Sequence, residues 1–529
     1  MKLSPASRKT YFGSIVEEVS ESTVIRSTFL FTLAFGFFVH FFILSSYLFN
    51  HDSITLLYTN FGWLLTQGKW FVTPLNDYKG PLILSYLSGA VGIVVIAVIS
   101  ALLCLIFSVK KKGTGWMIGA MLVAFPSVAT ILMYRACDYF ALSVLLAVLA
   151  VFFAKRRGIV SALLGIVFLT LSIGSYQGYL GFTAAIFVLL CILDLLRPDV
   201  SWKQVLVRGL AYIAEIVVSA EIYYGILQLR LYQAGTELST YKGINEMSDN
   251  LTPARLWNSV VVALKNAYGF FLQDNLGGAS IKMRWIYTLL LVTILILAGI
   301  AVRRHQLYRD IVRCILLVIL IVLALPLACN AIGVFSNNTS YYYITIYPIC
   351  LIFISIPLLL ETCLPERSNA IGSIIHCGAL LLSVICVFSW FIRDNQGYEK
   401  LFYENYAIQS KSTILVAQIQ EIEGYNSEMP VALVGRTPYG FLASQGISAE
   451  FDNIDTSAMG FGSASDEIYA EHVLRYVITS HIAPNMKIIS EADISDAARG
   501  AAESMPIYPN SGSIQMADGY ILVKLGETE

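Results

Sequence analysis

Residues 81–108 read PLILSYLSGAVGIVVIAVISALLCLIFS, and Lys110-Lys111-Lys112 follows one residue later. No charge interrupts the stretch, which exceeds the roughly 20 apolar residues a helix needs to cross hydrocarbon about 30 Å thick. Working outward, ten further stretches of this kind lie near 27–49, 115–134, 139–154, 158–175, 179–196, 206–228, 285–302, 312–330, 342–361 and 370–392. The expected fold class is therefore a polytopic α-helical membrane protein with about eleven transmembrane helices in residues 27–392. A short N-terminal segment, 1–26, precedes them, and a soluble domain, 393–529, follows.

Composition agrees: 57% of the 529 residues are hydrophobic and 13% charged, against roughly 25% charged in an ordinary soluble domain. The first apolar stretch is too long for a signal-peptide core and lacks a small-residue cleavage site, so it reads as a retained helix. Nine cysteines all fall in the apolar region with no Cys-x-x-Cys pair, as small apolar fillers would. Residues 393–529 hold 19 acidic and 8 basic side chains, whereas 1–392 hold 17 and 27. So acidic a tail excludes nucleic acid and anionic lipid surfaces as its partners.

Lys and Arg concentrate in cytoplasmic loops, and every second connection here is basic: Lys2 to Arg26, Lys110–Lys112, Lys155–Arg157, Arg197–Arg208 and Arg303–Arg313. The alternate turns, around Arg135, Gln177 and Asn337, carry one basic residue between them. An odd number of spans then puts the N-terminus inside and the C-terminal domain outside. Residues 50–80, residues 229–284 and the tail become the outward-facing segments where function is expected. Within the second, Leu251–Phe271 reads as one interfacial helix opened by Thr252 and Pro253. The tail reads as a small α/β domain: a helix over 403–422, strands at 431–434, 486–489 and 519–524, and a helix near 467–477.

Asp52, in Asn50-His51-Asp52-Ser53, follows the first span, where a carboxylate is placed to serve as general base toward a hydroxyl. It equally suits the cap of an amphipathic helix over 54–66. Arg135 and Asp138 occupy a tight turn close to hydrocarbon, where an unpaired charge costs up to about 3 kcal/mol. Either they pair with each other, or Arg135 binds a phosphate while Asp138 joins Asp52 around a sugar. Ser175-Tyr176-Gln177-Gly178-Tyr179 offers hydrogen-bonding groups and aromatic faces suited to a sugar ring, although turn chemistry alone also accounts for it. Lys69, Lys79, Lys282 and Arg284 stand against the positive-inside trend, as phosphate ligands or as snorkelling side chains. His40 reads as a satisfied core histidine, and Glu215 and Glu221 lie on different faces of one helix.

In this order the features resemble the polytopic glucosyltransferases of serotype-converting phages and bacterial surface-glycan clusters, lipid-linked-sugar glycosyltransferases with the C-type membrane fold. The resemblance rests on Asn50-His51-Asp52-Ser53, on Gly68-Lys69-Trp70, on Arg135 with Asp138 and on Ser175-Tyr176-Gln177. It spans roughly residues 30 to 420. It implies a polyprenyl-phosphate sugar donor, glucose foremost, and transfer to a glycan acceptor on the outer face of the membrane. Asp52 and Asp138 would be the catalytic acids; Lys69, Trp70, Arg135, Tyr176, Gln177 and Arg284 would bind substrate. Polyprenyl phosphate is already a good leaving group and needs cationic neutralisation more than protonation, so the reaction requires no cofactor and no metal. A cation held by Asp52 and Asp138 is the alternative. This chain departs from the family pattern in having Lys69 where arginine is commoner and one acid rather than an adjacent pair after the first span.

Two other functions fit the same substrate class. A lipid-linked glycan transporter would carry acids and bases at mid-membrane in broken helices, whereas here only Glu215, Glu221, His40 and His376 lie deep. A glycan polymerase or ligase would use a large outer loop late in the bundle, and residues 229–284 supply one.

Overall fold

The computed structural model describes residues 13, 17, 19–50, 52–54, 62–72, 84–134, 137–156, 158–240, 245, 252–272, 281–335, 343–363, 370–435 and 470–527. Helices occupy every position where the sequence predicts a span. They are α1 (Thr23–Val39), continued by Phe41–Ser45, α2 (Ser85–Phe107), α3 (Lys112–Val123), α4 (Pro126–Leu132), α5 (Cys137–Ala154), α6 (Ile159–Ser175) and α7 (Leu180–Leu195). After them come α8 (Trp202–Ala234), α9 (Pro253–Leu272), α10 (Ile281–Arg304), α11 (Ile311–Cys329), α12 (Cys350–Cys363) and α13 (Ala370–Gln420).

Six of these are long and apolar enough to cross a membrane, or seven if the bent pair α3–α4 is one span. Among the described residues the expected count of eleven is therefore not confirmed. α1, α6 and α12 are apolar but short, and α8 carries Arg208, Glu215, Glu221 and Arg230 along its length. The 51° bend between α3 and α4 falls at Pro126, which opens α4 and cannot continue the hydrogen-bond ladder of the helix before it. Pro326 has a comparable effect in α11. It leaves the carbonyl of Val322, four residues earlier, without its N–H, the helix widens to a π turn over Leu320–Ala324, and the Tyr268 hydroxyl of α9 donates to the Val322 oxygen instead.

The basic connections gather at one end of the bundle. Lys155 donates to the Ile106 carbonyl and to Ser108, Glu361 accepts from the Lys110 amide, Arg313 donates to the carbonyls of Arg197 and Val200, and Arg208 pairs with Asp194. His40 is fully buried between the Val123 carbonyl and the Tyr398 hydroxyl, each 2.8 Å away, so it is the satisfied core histidine that was expected.

Two expectations about the tail change. α13 runs unbroken for 51 residues, where the sequence suggested a span ending at 392 and a separate helix beginning at 403. At 1.5 Å per residue it is about 77 Å long, more than twice a hydrocarbon core. The intervening 393–402 contains no proline, and Asn395 and Tyr398 tie it to α1 through the Val39 carbonyl and His40. One helix thus passes from the membrane core, with Trp390 and Leu401, into the tail core, with Ile408, Leu415, Val416 and Ile419.

Among the described residues the sheet has four strands rather than the three expected: β1 (Val431–Val434), β2 (Ile488–Ile489), β3 (Ile514–Ala517) and β4 (Tyr520–Lys524), in the order β2-β1-β4-β3. β1 pairs in parallel with β2 and β4, while β3 is antiparallel to β4. The Val-Ala-Leu-Val run of β1 is buried throughout, as a strand covered on both faces must be. One face meets α13 and α14 (Ala470–Val477), the other α15 (Asp496–Glu503).

Beyond the apolar part of α13, Glu404 is buried in this domain and burial pushes its carboxyl up to about 7, partly offset by Lys400. A folded-state value above the unfolded one means that folding loses stability as pH rises from the ordinary glutamate range to 7, by up to about 3 kcal/mol above that point. The thermal midpoint is expected to fall between pH 5 and pH 8 in micelles, and Glu404→Gln to flatten that dependence; an unchanged slope in the variant would exclude Glu404 as its source.

Candidate functional site

Asn50, buried at the end of the first helical segment, caps a short turn: its Oδ1 accepts from the Ser53 amide at 2.8 Å. Asp52 sits half-buried in that turn, and residues 55–61 of the helix it was offered as capping lie outside the described residues. The Ser53 hydroxyl donates to the Met133 carbonyl at 3.1 Å, which fixes the Asp52 turn against the chain leading into α5. Asp138 opens α5, accepting from the Tyr139 amide at 3.0 Å, where the helix N-terminus favours a carboxylate. The buried Tyr139 phenol interacts electrostatically with Asp52, Asp138 and Tyr176. The two acids thus share an electrostatic neighbour.

A second wall is built by the helix Gly62–Thr66 and the tight turn that ends it. The amides of Gly68 and Lys69 return to the carbonyls of Leu65 and Leu64 at 2.9 Å, and Gly68 takes φ +77°, a conformation costly for residues with a Cβ. A Cβ there would also stand 2.4 Å from Gln177 Nε2 and 2.5 Å from the Tyr223 hydroxyl. Gln177 Nε2 donates to the Gln67 carbonyl at 2.8 Å and meets the Tyr223 hydroxyl at 3.0 Å, and that hydroxyl donates to the Gly68 carbonyl at 3.1 Å. The Phe71 amide donates to the Gly174 carbonyl at 3.0 Å, and the Trp70 indole packs directly on Gly174.

The structure therefore brings Lys69, Trp70, Tyr176 and Gln177 together. Lys69 Nζ donates to Gln67 Oε1 at 2.8 Å and lies 5.4 Å from the Tyr176 ring centroid. Tyr176 in turn meets Phe140 edge-on, with centroids 5.0 Å apart, so it joins the lysine corner to the wall that carries Asp138. Arg284 stands on the first turns of α10, which packs against α9, α12 and α13. Arg135, Lys79 and His51 lie outside the described residues. Sequence reading missed Gln67, Tyr139 and Tyr223; Tyr139 is a polar-tipped aromatic on an apolar helix, whereas Tyr223 is one of several polar side chains along α8 and nothing local set it apart.

Chemically the two walls differ. Around Lys69, Gln67 Nε2 and Trp70 Nε1 are buried donors with no hydrogen-bond partner among the described residues, and an ammonium with neighbouring N–H donors suits anionic oxygens. Around Tyr139, carboxylates suit an alcohol that must lose a proton. Among the described residues no three His, Cys, Asp or Glu side chains converge as a metal site would require. The family model for glucosyl transferase GtrII matches residues 41–353, a span that contains both walls. No curated protein and no solved structure matches the chain.

Proposed function

The chain belongs to the glucosyl transferase GtrII family, and from that membership we propose that it moves glucose from a polyprenyl-phosphate carrier to a glycan hydroxyl on the outer face of the cytoplasmic membrane. The choice of donor is supported by the corner at residues 67–70, where the Lys69 ammonium meets Gln67 Oε1 and the buried side-chain N–H groups of Gln67 and Trp70 have no partner among the described residues. Such donors are aimed at charge that grows on a phosphate as it leaves. Asp52, with Asp138 beside the same tyrosine, takes the acceptor proton as the hydroxyl attacks the anomeric carbon; the carbon–phosphate oxygen bond breaks and polyprenyl phosphate departs with its electron pair. Tyr176 and Gln177 hold the sugar between the walls. Arg284 and Arg135 are secondary phosphate ligands in this reading.

The outer-face assignment is supported by the gathering of Lys155, Arg208 and Arg313 at one end of the bundle, which positive-charge bias makes cytoplasmic, while 393–529 with its acidic excess forms the extracytoplasmic domain. Proteoliposomes given labelled glucose either on undecaprenyl phosphate or on a nucleoside diphosphate, with a cell-envelope glycan as acceptor, test the reading. Transfer is expected from the lipid-linked donor alone; transfer from the nucleotide sugar alone would overturn it.

A further inference from the structure

The segment that carries Asp52 is held from two sides, and one of them is the C-terminal domain. The side-chain amide of Asn405, on α13, grips the Phe49 peptide at both ends: the Phe49 N–H donates to Asn405 Oδ1 at 3.1 Å, and Asn405 Nδ2 donates to the Phe49 carbonyl at 3.1 Å. Both residues are buried. A side-chain amide thus imitates the pairing that a neighbouring strand would give, leaving neither backbone group of Phe49 unmet.

The packing repeats the message. Phe49 and Ile54, on either side of Asp52, belong to one hydrophobic core with Val431 of β1, Val473 of α14 and Ile521 of β4. The Phe49 ring meets Tyr476 edge-on at 5.6 Å, and the hydroxyls of Tyr47 and Tyr476 are 2.5 Å apart. On the other side, Ser53 is bonded to Met133 of the membrane bundle. Asp52 therefore sits on a bridge with one pier in each body. The family match ends at residue 353, so the pier formed by α13 and the sheet lies wholly outside the matched region.

We propose that the C-terminal domain is part of the scaffold of the active site, and that Asn405 is a positioning residue acting through Asp52. The proposal rests on the glycosyl-transfer reading above. A displacement of about 1 Å in a reacting group is enough to cost roughly 100-fold in rate, and loss of the Asn405 amide frees the Phe49 peptide to shift by such an amount. Because the grip bears on the segment that carries Asp52, it governs turnover rather than donor binding.

The test is steady-state transfer from the lipid-linked donor by full-length Asn405→Ala, Asp52→Asn and the double variant. Asn405→Ala is expected to lower kcat by roughly 10- to 100-fold and to change the donor KM less than about twofold. Added to Asp52→Asn, it should cost less than about twofold more, because the residue it positions is already gone. Multiplicative losses in the double variant, a raised KM with unchanged kcat, or wild-type kcat in Asn405→Ala would each overturn the proposal. Should Asn405→Ala fail to fold, Tyr476→Phe, which removes the hydroxyl facing Tyr47 and keeps the ring, carries the same comparison with a smaller loss. Absence of transfer by the wild type would instead refute the function on which the proposal rests.

Discussion

Asp52→Asn is expected to lower the turnover number for glucosyl transfer by roughly 10³-fold, within the 10²–10⁴ range that a positioned general base contributes, with the donor KM almost unchanged. The substitution keeps the size of the side chain and the Asn50–Ser53 turn that places it, so the fold has no reason to respond. In the proposed role, what it removes is proton acceptance, an interaction made only as the acceptor hydroxyl attacks, and losses of that kind appear in kcat rather than in KM. Asp138→Asn should cost less, since its carboxylate also serves the start of α5 by accepting from Tyr139. Full turnover in Asp52→Asn would remove the carboxylate from the reaction. A rise in KM with unchanged turnover would make it a binding group.

The second large effect is expected at Gly68, where Gly68→Ala should raise the donor KM by roughly 10- to 100-fold. A left-handed conformation costs an alanine about 1–2 kcal/mol. The added methyl also displaces Gln177 and Tyr223, 2.4 and 2.5 Å from it, and weakens hydrogen bonds worth about 1 kcal/mol each. Together these amount to about 2–3 kcal/mol, and 1.4 kcal/mol is tenfold in affinity. The damage is local, so detergent-solubilised protein should still elute as a single folded species. Gly225→Ala provides the contrast: it lies on α8 close to Tyr223, and a Cβ there meets open space. Equal KM values for the two variants would mean that the 67–70 corner does not bind the donor.

These residues were not equally legible in the sequence. The helices announce themselves because a membrane helix must satisfy its own backbone within one apolar stretch, and a stretch such as 81–108 allows no other reading. Gly68-Lys69-Trp70 and Ser175-Tyr176-Gln177 stand out as polar turns between such helices, yet nothing local says that they touch. Their contact runs from the Gln177 amide to the Gln67 carbonyl, 110 positions away, and through Tyr223 on a third helix. The Asn405 grip on Phe49 is separated by 356 positions, and an asparagine in a helix that carries Tyr403, Glu404 and Tyr406 gives no sign of its partner. The unbroken α13 was hidden because 393–402 is polar, which marks the end of a membrane span but not the end of a helix. β3 went unseen because its pattern, with two of four residues exposed, is that of an edge strand and carries little apolar signal.

Whether this family member breaks a glucose–phosphate bond on a lipid carrier, as proposed, is read out by a doubly labelled donor. Polyprenyl-phosphate glucose carrying carbon label in the sugar and phosphorus label in the phosphate is given, with glycan acceptor, to proteoliposomes of wild type and Asp52→Asn. One labelled polyprenyl phosphate is expected for each glucose gained by the glycan, with both rates falling together in the variant. Labelled lipid that crosses the bilayer with its sugar still attached, at equal rates in both proteins, would contradict it.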